Sequence, residues 1–230
     1  MPARRMKRAA LLLALTLVSA PAEANVLENC TQQSDWWLRV SACTEAIESG
    51  RWPGSRGAWA YSNRAVDHGA LGMYIEAFDD HEQAVKLDPS NANARNNKAN
   101  SHAAFREYDR ALEEYSRAIR LKPGYKAAHF NRAGVLVALG RDAEARDDYS
   151  VVIAADPGIG AAYAGRAEAH CRLGEVAASV DDRREALRRG ALTPDLVIGH
   201  LRDTGYLRGT EFTDADRDAA LLAWTEAGCP

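Results

Sequence analysis

Between residues 58 and 190 the apolar positions recur at three- and four-residue spacing, as in Ala111, Leu112, Tyr115, Ala118 and Ile119. That spacing lays one face of a helix against a core. The stretches end at Leu87-Asp88-Pro89, Leu121-Lys122-Pro123 and Ala155-Asp156-Pro157, where proline cannot continue a helix. Upstream of each lies another helical stretch, set off by a turn at Gly72, Arg106, Gly140 or Gly174. The pattern predicts helix pairs that begin near residues 58, 92, 126 and 160. Strand-like alternation of useful length is missing, so the chain is expected to be all-α.

The three prolines are 34 residues apart, and further columns keep that period. One reads Asn63-Arg64-Ala65, Asn97-Lys98-Ala99, Asn131-Arg132-Ala133 and Gly165-Arg166-Ala167; another is Ala77, Ala111, Ala145 and Ser179; a third is Ala84, Ala118, Val152 and Ala186. So many coincidences at one period mark a repeat architecture. Small side chains belong where helices cross, because they let backbones approach closely. Arg64, Lys98, Arg132 and Arg166 are each followed sixteen residues later by Asp80, Glu114, Asp148 and Asp182. An antiparallel helix pair sets these columns side by side as a ladder of ion pairs, each contributing ~0.2–1 kcal/mol if exposed.

The start of the chain has another character. Arg4, Arg5, Lys7 and Arg8 precede an apolar run at 9–18, and Ala22-Glu23-Ala24 fits a signal-cleavage site. Residues 1–24 are therefore expected to be a cleaved secretory signal that delivers the protein to the periplasm. Removal takes away four bases and one acid and moves the formal net charge from −3 to −6, which disfavours nucleic acid and anionic lipid as partners. Export gives the four cysteines, Cys30, Cys43, Cys171 and Cys229, a structural meaning. Three pairings are open; Cys30–Cys43 with Cys171–Cys229 is favoured, because the first two flank one predicted helix and the last two lie at the far end.

The flanks lose the period. In residues 25–57, Ser34 suits an N-cap and Gly50 a helix stop, which predicts one helix and a loop covering the first repeat, with Trp36-Trp37 docked as cap packing. In residues 191–230, Thr193-Pro194-Asp195 suits a helix start, and Thr213-Asp214-Ala215-Asp216 resembles a capping box before 219–227. Leu201-Arg202-Asp203-Thr204-Gly205-Tyr206-Leu207-Arg208-Gly209 is similar to the opening of small peptidoglycan-binding helical modules. A plain helical cap is the competing reading.

With its small residues at unit positions eight, twenty and twenty-seven and proline at thirty-two, the 34-residue unit resembles the tetratricopeptide repeat. The resemblance covers four units, 58–91, 92–125, 126–159 and 160–190, and implies an α-solenoid with helical caps at both ends. Arg106 departs from the usual turn glycine, Asp142 from the usual aromatic, and the fourth unit ends without proline. The resemblance also implies a concave groove lined by the first helices. By position that groove takes Asn63, Val66, Asn96, Asn97, Asn100, Phe130 and Asn131, with Ser62, Gly134 and Glu168 alongside. Asparagine offers donors and an acceptor to an extended peptide without demanding charge; the competing reading leaves these amides to the repeat's own hydrogen bonding. A charged clamp for a terminal carboxylate is not matched, since Ser62 and Val66 stand in its places.

Catalytic and metal motifs fail on spacing. His81-Glu82-Gln83-Ala84-Val85 lacks the second histidine of a zinc helix, and Asp214, Asp216 and Asp218 lack the glycine and distal glutamate of a calcium loop. His68, His102 and His170 share a column with Leu136, too widely spaced along the stack to share a metal. The expectation is a non-catalytic exported scaffold without cofactor or metal, binding a protein or extended peptide. The alternative is a cell-envelope accessory protein whose C-terminal segment contacts peptidoglycan.

Overall fold

A computed structural model describes residues 20–32, 34–206 and 213–226. It contains twelve α-helices and no strand among the described residues, and no helix there is long and apolar enough to cross a membrane. Residues 1–19, most of the expected signal, lie outside the description, as does Cys229. The chain divides into two compact units, residues 1–90 and 91–230.

The first unit holds α1 (Ala20–Gln32), α2 (Trp36–Glu48), a 3-10 turn at Gly54–Gly57, α3 (Ala58–Ala70) and α4 (Tyr74–Leu87). Helix α1 is an addition to the single helix expected ahead of the repeats. It lies against α2 and is joined to it by the Cys30–Cys43 disulfide, both cysteines being fully buried. Asp35, not Ser34, caps α2: its Oδ1 accepts from Trp37 N at 2.8 Å and Leu38 N at 3.2 Å. This cap starts the helix so that Trp36, Trp37 and Leu38 stand exposed, which corrects the expectation of a docked tryptophan pair. Between α2 and α3, Arg39 Nη2 reaches Asp67 Oδ1 at 2.7 Å. Burial raises the Asp67 pKa, and Arg39 opposes that shift. The loop before α3 is pinned by Gly57, where a Cβ would come within 2.3 Å of the Trp52 carbonyl oxygen.

The second unit continues with α5 (Ala92–Ala104), α6 (Tyr108–Leu121), α7 (Lys126–Ala138), α8 (Asp142–Ala155), α9 (Gly160–Arg172) and α10 (Val176–Arg188). These form three antiparallel hairpins, α5 with α6, α7 with α8 and α9 with α10, each packed on the next. Ala99, Ala111, Ala118, Ala133, Ala145 and Ala186 are all fully buried. The small columns therefore sit where the helices cross, and a longer side chain there would have to displace backbone. Ser179 enters the same column with its hydroxyl donated to the Ala167 carbonyl at 2.7 Å, so its burial leaves nothing unsatisfied.

Tight turns join the two helices of each hairpin. Gly140 and Gly174 take φ of 70° and 74°, and Arg106 takes the same left-handed conformation at 59°. In each, the residue after the turn donates back five positions, as Arg141 N does to Leu136 O at 2.9 Å and Glu107 N to His102 O at 2.9 Å.

The unit closes with α11 (Pro194–Asp203) and α12 (Asp214–Glu226). Thr213 and Asp216 form the expected reciprocal cap: Thr213 N donates to Asp216 Oδ2 at 2.8 Å, and Asp216 N to Thr213 Oγ1 at 3.2 Å. Leu201, Ala220 and Leu221 bury together with Leu187, Ile198 and Trp224 around them, so α12 rests on α10. Arg183 on α10 lies 4.1 Å from the Trp224 ring centroid and donates to Thr225 Oγ1 at 2.7 Å. Burial pulls its pKa down to about 10.

Candidate binding face

The expected ion-pair ladder forms with arginine in three of the four repeats. Arg132 clasps Asp148 with Nε and Nη2, both at 2.7 Å, and Arg166 clasps Asp182 in the same way. Arg64 does so with Asp80 in the first unit, at 2.9 and 2.7 Å. In the second repeat Lys98 stays 3.9 Å from Glu114, and Arg95 takes the carboxylate instead at 2.8 Å. A lysine cannot make the two-pronged contact of a guanidinium; Arg95 Nη1 on one carboxylate oxygen and Arg117 Nη1 on the other, each at 2.8 Å, take its place. The acids are not exposed as the charge pattern suggested: Asp148 and Asp182 are 4% and 5% exposed. Removing one partner of such a pair costs about 3–5 kcal/mol, far above the surface figure.

Each arginine also reaches backward along the chain. Arg132 Nη1 donates to Ser116 Oγ at 3.0 Å, Arg166 Nη1 to Ser150 Oγ at 3.1 Å, and Arg64 Nη1 to Thr44 Oγ1 at 3.0 Å. The hydroxyls thus tie each hairpin to the helix before it. Ser116 and Ser150 are 34 residues apart, so this column was present in the sequence unread.

The histidines are tied to carboxylates of their own repeats. His68 Nδ1 lies 3.1 Å from Asp80, His102 Nδ1 lies 2.6 Å from Glu107, and His170 Nδ1 contacts Glu175. Among the described residues no group of histidine, cysteine and carboxylate side chains could hold a metal ion.

Helices α5, α7 and α9 lie side by side, and α5 and α7 bring four of the expected groove amides together. Asn131 Nδ2 donates to Asn100 Oδ1 at 3.0 Å and to Asn96 Oδ1 at 3.2 Å, and Asn96 Nδ2 to Asn97 Oδ1 at 3.3 Å. Tyr115 on α6 adds its hydroxyl to Asn100 Oδ1 at 2.6 Å. Part of the amide chemistry therefore serves the repeats themselves. Asn97 Nδ2, Asn100 Nδ2 and Asn131 Oδ1 keep no partner among the described residues. Asn63 and Val66 belong to α3 in the first unit, where Asn63 is half-buried and Val66 exposed.

Phe130, half-buried on α7, meets Tyr149 of α8 edge to face at 5.6 Å between centroids. The Tyr149 phenol is held above its usual pKa, first by burial and then by the neighbouring Asp148 charge, and so stays a hydrogen-bond donor at neutral pH. The two tyrosines, one register apart, were missed as part of this face because they come from the second helices.

Residues 64–126 and 97–158 match the family model described as Tetratricopeptide repeat. Among solved structures, a crystal structure of MamA protein superposes with a TM-score of 0.63 at 17% identity, covering 82% of this chain and 97% of that one. A tetratricopeptide repeat protein from Parabacteroides merdae gives a TM-score of 0.66 at 15% identity, covering 80% and 72%. The first TPR of Spaghetti (RPAP3), bound to the HSP90 peptide SRMEEVD, gives 0.51 at 23% identity, covering 54% and 98%. At these identities the shared feature is the fold. No curated protein matches the sequence.

Proposed function

This chain is a tetratricopeptide repeat protein, and from that premise we propose that it is a non-catalytic scaffold binding a protein or an extended peptide on the face formed by its first helices. The observation that carries the reading is the set of amide groups left over on α5 and α7. Asn97 Nδ2, Asn100 Nδ2 and Asn131 Oδ1 offer two donors and an acceptor after the repeats have satisfied themselves. An extended main chain presents the complementary groups at regular spacing, whatever its side chains.

Binding peptides is what one structural neighbour does, and its peptide is rich in acids. In the present chain Arg95, Arg132 and Arg166 are committed to Glu114, Asp148 and Asp182. A guest held by amides instead of free cations suits that commitment.

The layout follows the same reading: residues 1–24 a signal cleaved after Ala24, 25–57 a disulfide-stapled cap, 58–190 four repeats, and 191–230 a helical cap, in a protein exported to the periplasm. The packing of α12 on α10 supports the cap for the last segment over a wall-binding module.

The test is selection of a phage-displayed library of random peptides, each about a dozen residues long, on the full mature chain. Binders resynthesised with amidated C termini are then titrated by fluorescence anisotropy. Asn97→Ala is expected to weaken binding roughly tenfold, the worth of about one hydrogen bond, with no more than a slight drop in melting temperature from losing the 3.3 Å bond to Asn96. Failure to enrich any peptide, or unchanged affinity in the variant, removes this face as the site.

A further inference from the structure

Tyr115 and Tyr149 occupy the same position in successive repeats, yet their hydroxyls meet different surroundings. Tyr115 Oη is taken up by Asn100, which is bridged in turn to Asn131. One register later the residues corresponding to Asn100 and Asn131 are Gly134 and Gly165. A Cβ built on Gly134 would meet nothing within 4 Å, so the space that an asparagine fills beside Tyr115 is open beside Tyr149. At Gly165 the reverse holds: a Cβ would come within 2.3 Å of Tyr149 Cζ and 2.7 Å of its Oη, so the phenol rests on bare backbone. Any other residue at 165 would push the ring away.

The result is a notch floored by Tyr149 and open at Gly134, with Phe130 against the tyrosine ring. Tyr149 is only 6% exposed, and its hydroxyl has no hydrogen-bond partner among the described residues. The oxygen is not among the buried polar atoms left unpaired, so it is reached from the open side of the notch. The same group one repeat earlier is taken up by Asn100.

We propose that Tyr149 Oη, uncovered by Gly134 and Gly165, donates to a main-chain carbonyl of an extended, uncharged segment of a partner polypeptide that settles into this notch. The inference deepens the scaffold reading and rests on it. Charge selects the occupant: Arg132 and Arg166, the nearest cations in register, both clasp buried aspartates, and Arg172 pairs with Glu168 at 2.9 Å. A terminal carboxylate would enter a place with one neutral donor and no available guanidinium among these three. A main-chain carbonyl needs only the donor. The missing side chain at Gly134 provides room for a backbone to come close.

The repeat supplies its own test. Gly134→Asn rebuilds the arrangement around Tyr115, placing an amide beside the Tyr149 hydroxyl and filling the notch. Tyr149→Phe keeps the ring and removes the donor. Both are titrated, in the full mature chain, with the amidated peptides selected on the wild type, and thermal melts are recorded alongside. The expected result is a roughly tenfold loss of affinity in each variant. Melting is expected to rise for Gly134→Asn and stay level or rise for Tyr149→Phe, whereas Tyr115→Phe, which loses a satisfied bond, melts lower. A structural role for Tyr149 would lower melting and affinity together, and overturns the inference.

Wild-type affinity in both variants also overturns it while leaving the Asn97 result, and hence the scaffold reading, intact. Peptides that bind only with a free C-terminal carboxylate overturn the choice of a main-chain carbonyl. A change in self-association without a change in peptide affinity assigns the notch to a second copy of this chain and rejects the inference. If the wild type enriches no peptide, the scaffold reading falls and this one with it.

Discussion

Where Tyr115 and Tyr149 stand in later repeats, residue 81 is a histidine, almost fully buried, with no hydrogen-bond partner for its Nδ1. Burial drives its pKa down from 6.5 to about 4, and the adjacent Asp80 only partly offsets this. Above pH 6.5 the ring is neutral in the folded and the unfolded chain alike, and His81 adds no pH dependence. Between pH 6.5 and 4 the unfolded chain takes up a proton that the folded chain refuses, so stability falls as the pH falls. The loss, complete below about pH 4, approaches roughly 3 kcal/mol at about 1.4 kcal/mol per pKa unit. Urea unfolding of the wild type and of His81→Phe across this window checks it. The variant is expected to lose that part of the slope, and an identical slope in both proteins refutes the assignment.

Among the elements, the turn between α5 and α6 is the one built from an unfavourable residue. Arg106 adopts φ of 59°, which Gly72, Gly140 and Gly174 adopt without a Cβ to oppose it. The left-handed region costs a non-glycine residue about 1–2 kcal/mol, and glycine gives back part of that through its freer unfolded state. Arg106→Gly is therefore expected to stabilise by roughly 0.5–1 kcal/mol and raise the melting temperature by about 2 °C, measurable by calorimetry. A lower melting temperature would mean that the arginine side chain contributes more than its backbone costs. This turn was legible in the sequence because its neighbours at the same period are glycines. The hairpins were legible for a related reason: proline, alanine and charge all repeated together, and each is tied to a specific place on a helix pair. Helix α1 was not, because Asn25-Val26-Leu27-Glu28-Asn29 belongs to no repeat and gives only one turn of apolar spacing. The Cys30–Cys43 pairing was favoured from the sequence, but a bond at Cys30 does not by itself say that a helix carries it. The face on α5 and α7 was half legible. Its asparagines share a column, but their mutual bonds and the bare Tyr149 hydroxyl depend on which second-helix side chain arrives between them.

For the molecule as a whole, the Cys30–Cys43 disulfide lies in the unit whose repeat content is smaller. Closing a loop of 13 residues with Cys30–Cys43 is worth roughly 3 kcal/mol on chain-entropy grounds. Hydrogen exchange followed by mass spectrometry, on the wild type and on a Cys30→Ala, Cys43→Ala double variant, is expected to show faster exchange in α1 and α2 of the variant and unchanged protection in α5 to α10. Equal loss everywhere would show that the bond stabilises more than the first unit. Bonds of this kind persist in oxidising compartments, in keeping with the proposed export. The contact between Tyr149 and Gly165 reaches further than one site. Equal length makes the repeats look like interchangeable cassettes, but a duplicate of the third placed after it would bring the Cβ of its Asn131 against the tyrosine ring and force that ring to move. The order of the copies is thereby a grammar: shuffling them at the gene level would remake a joint that no single cassette reveals.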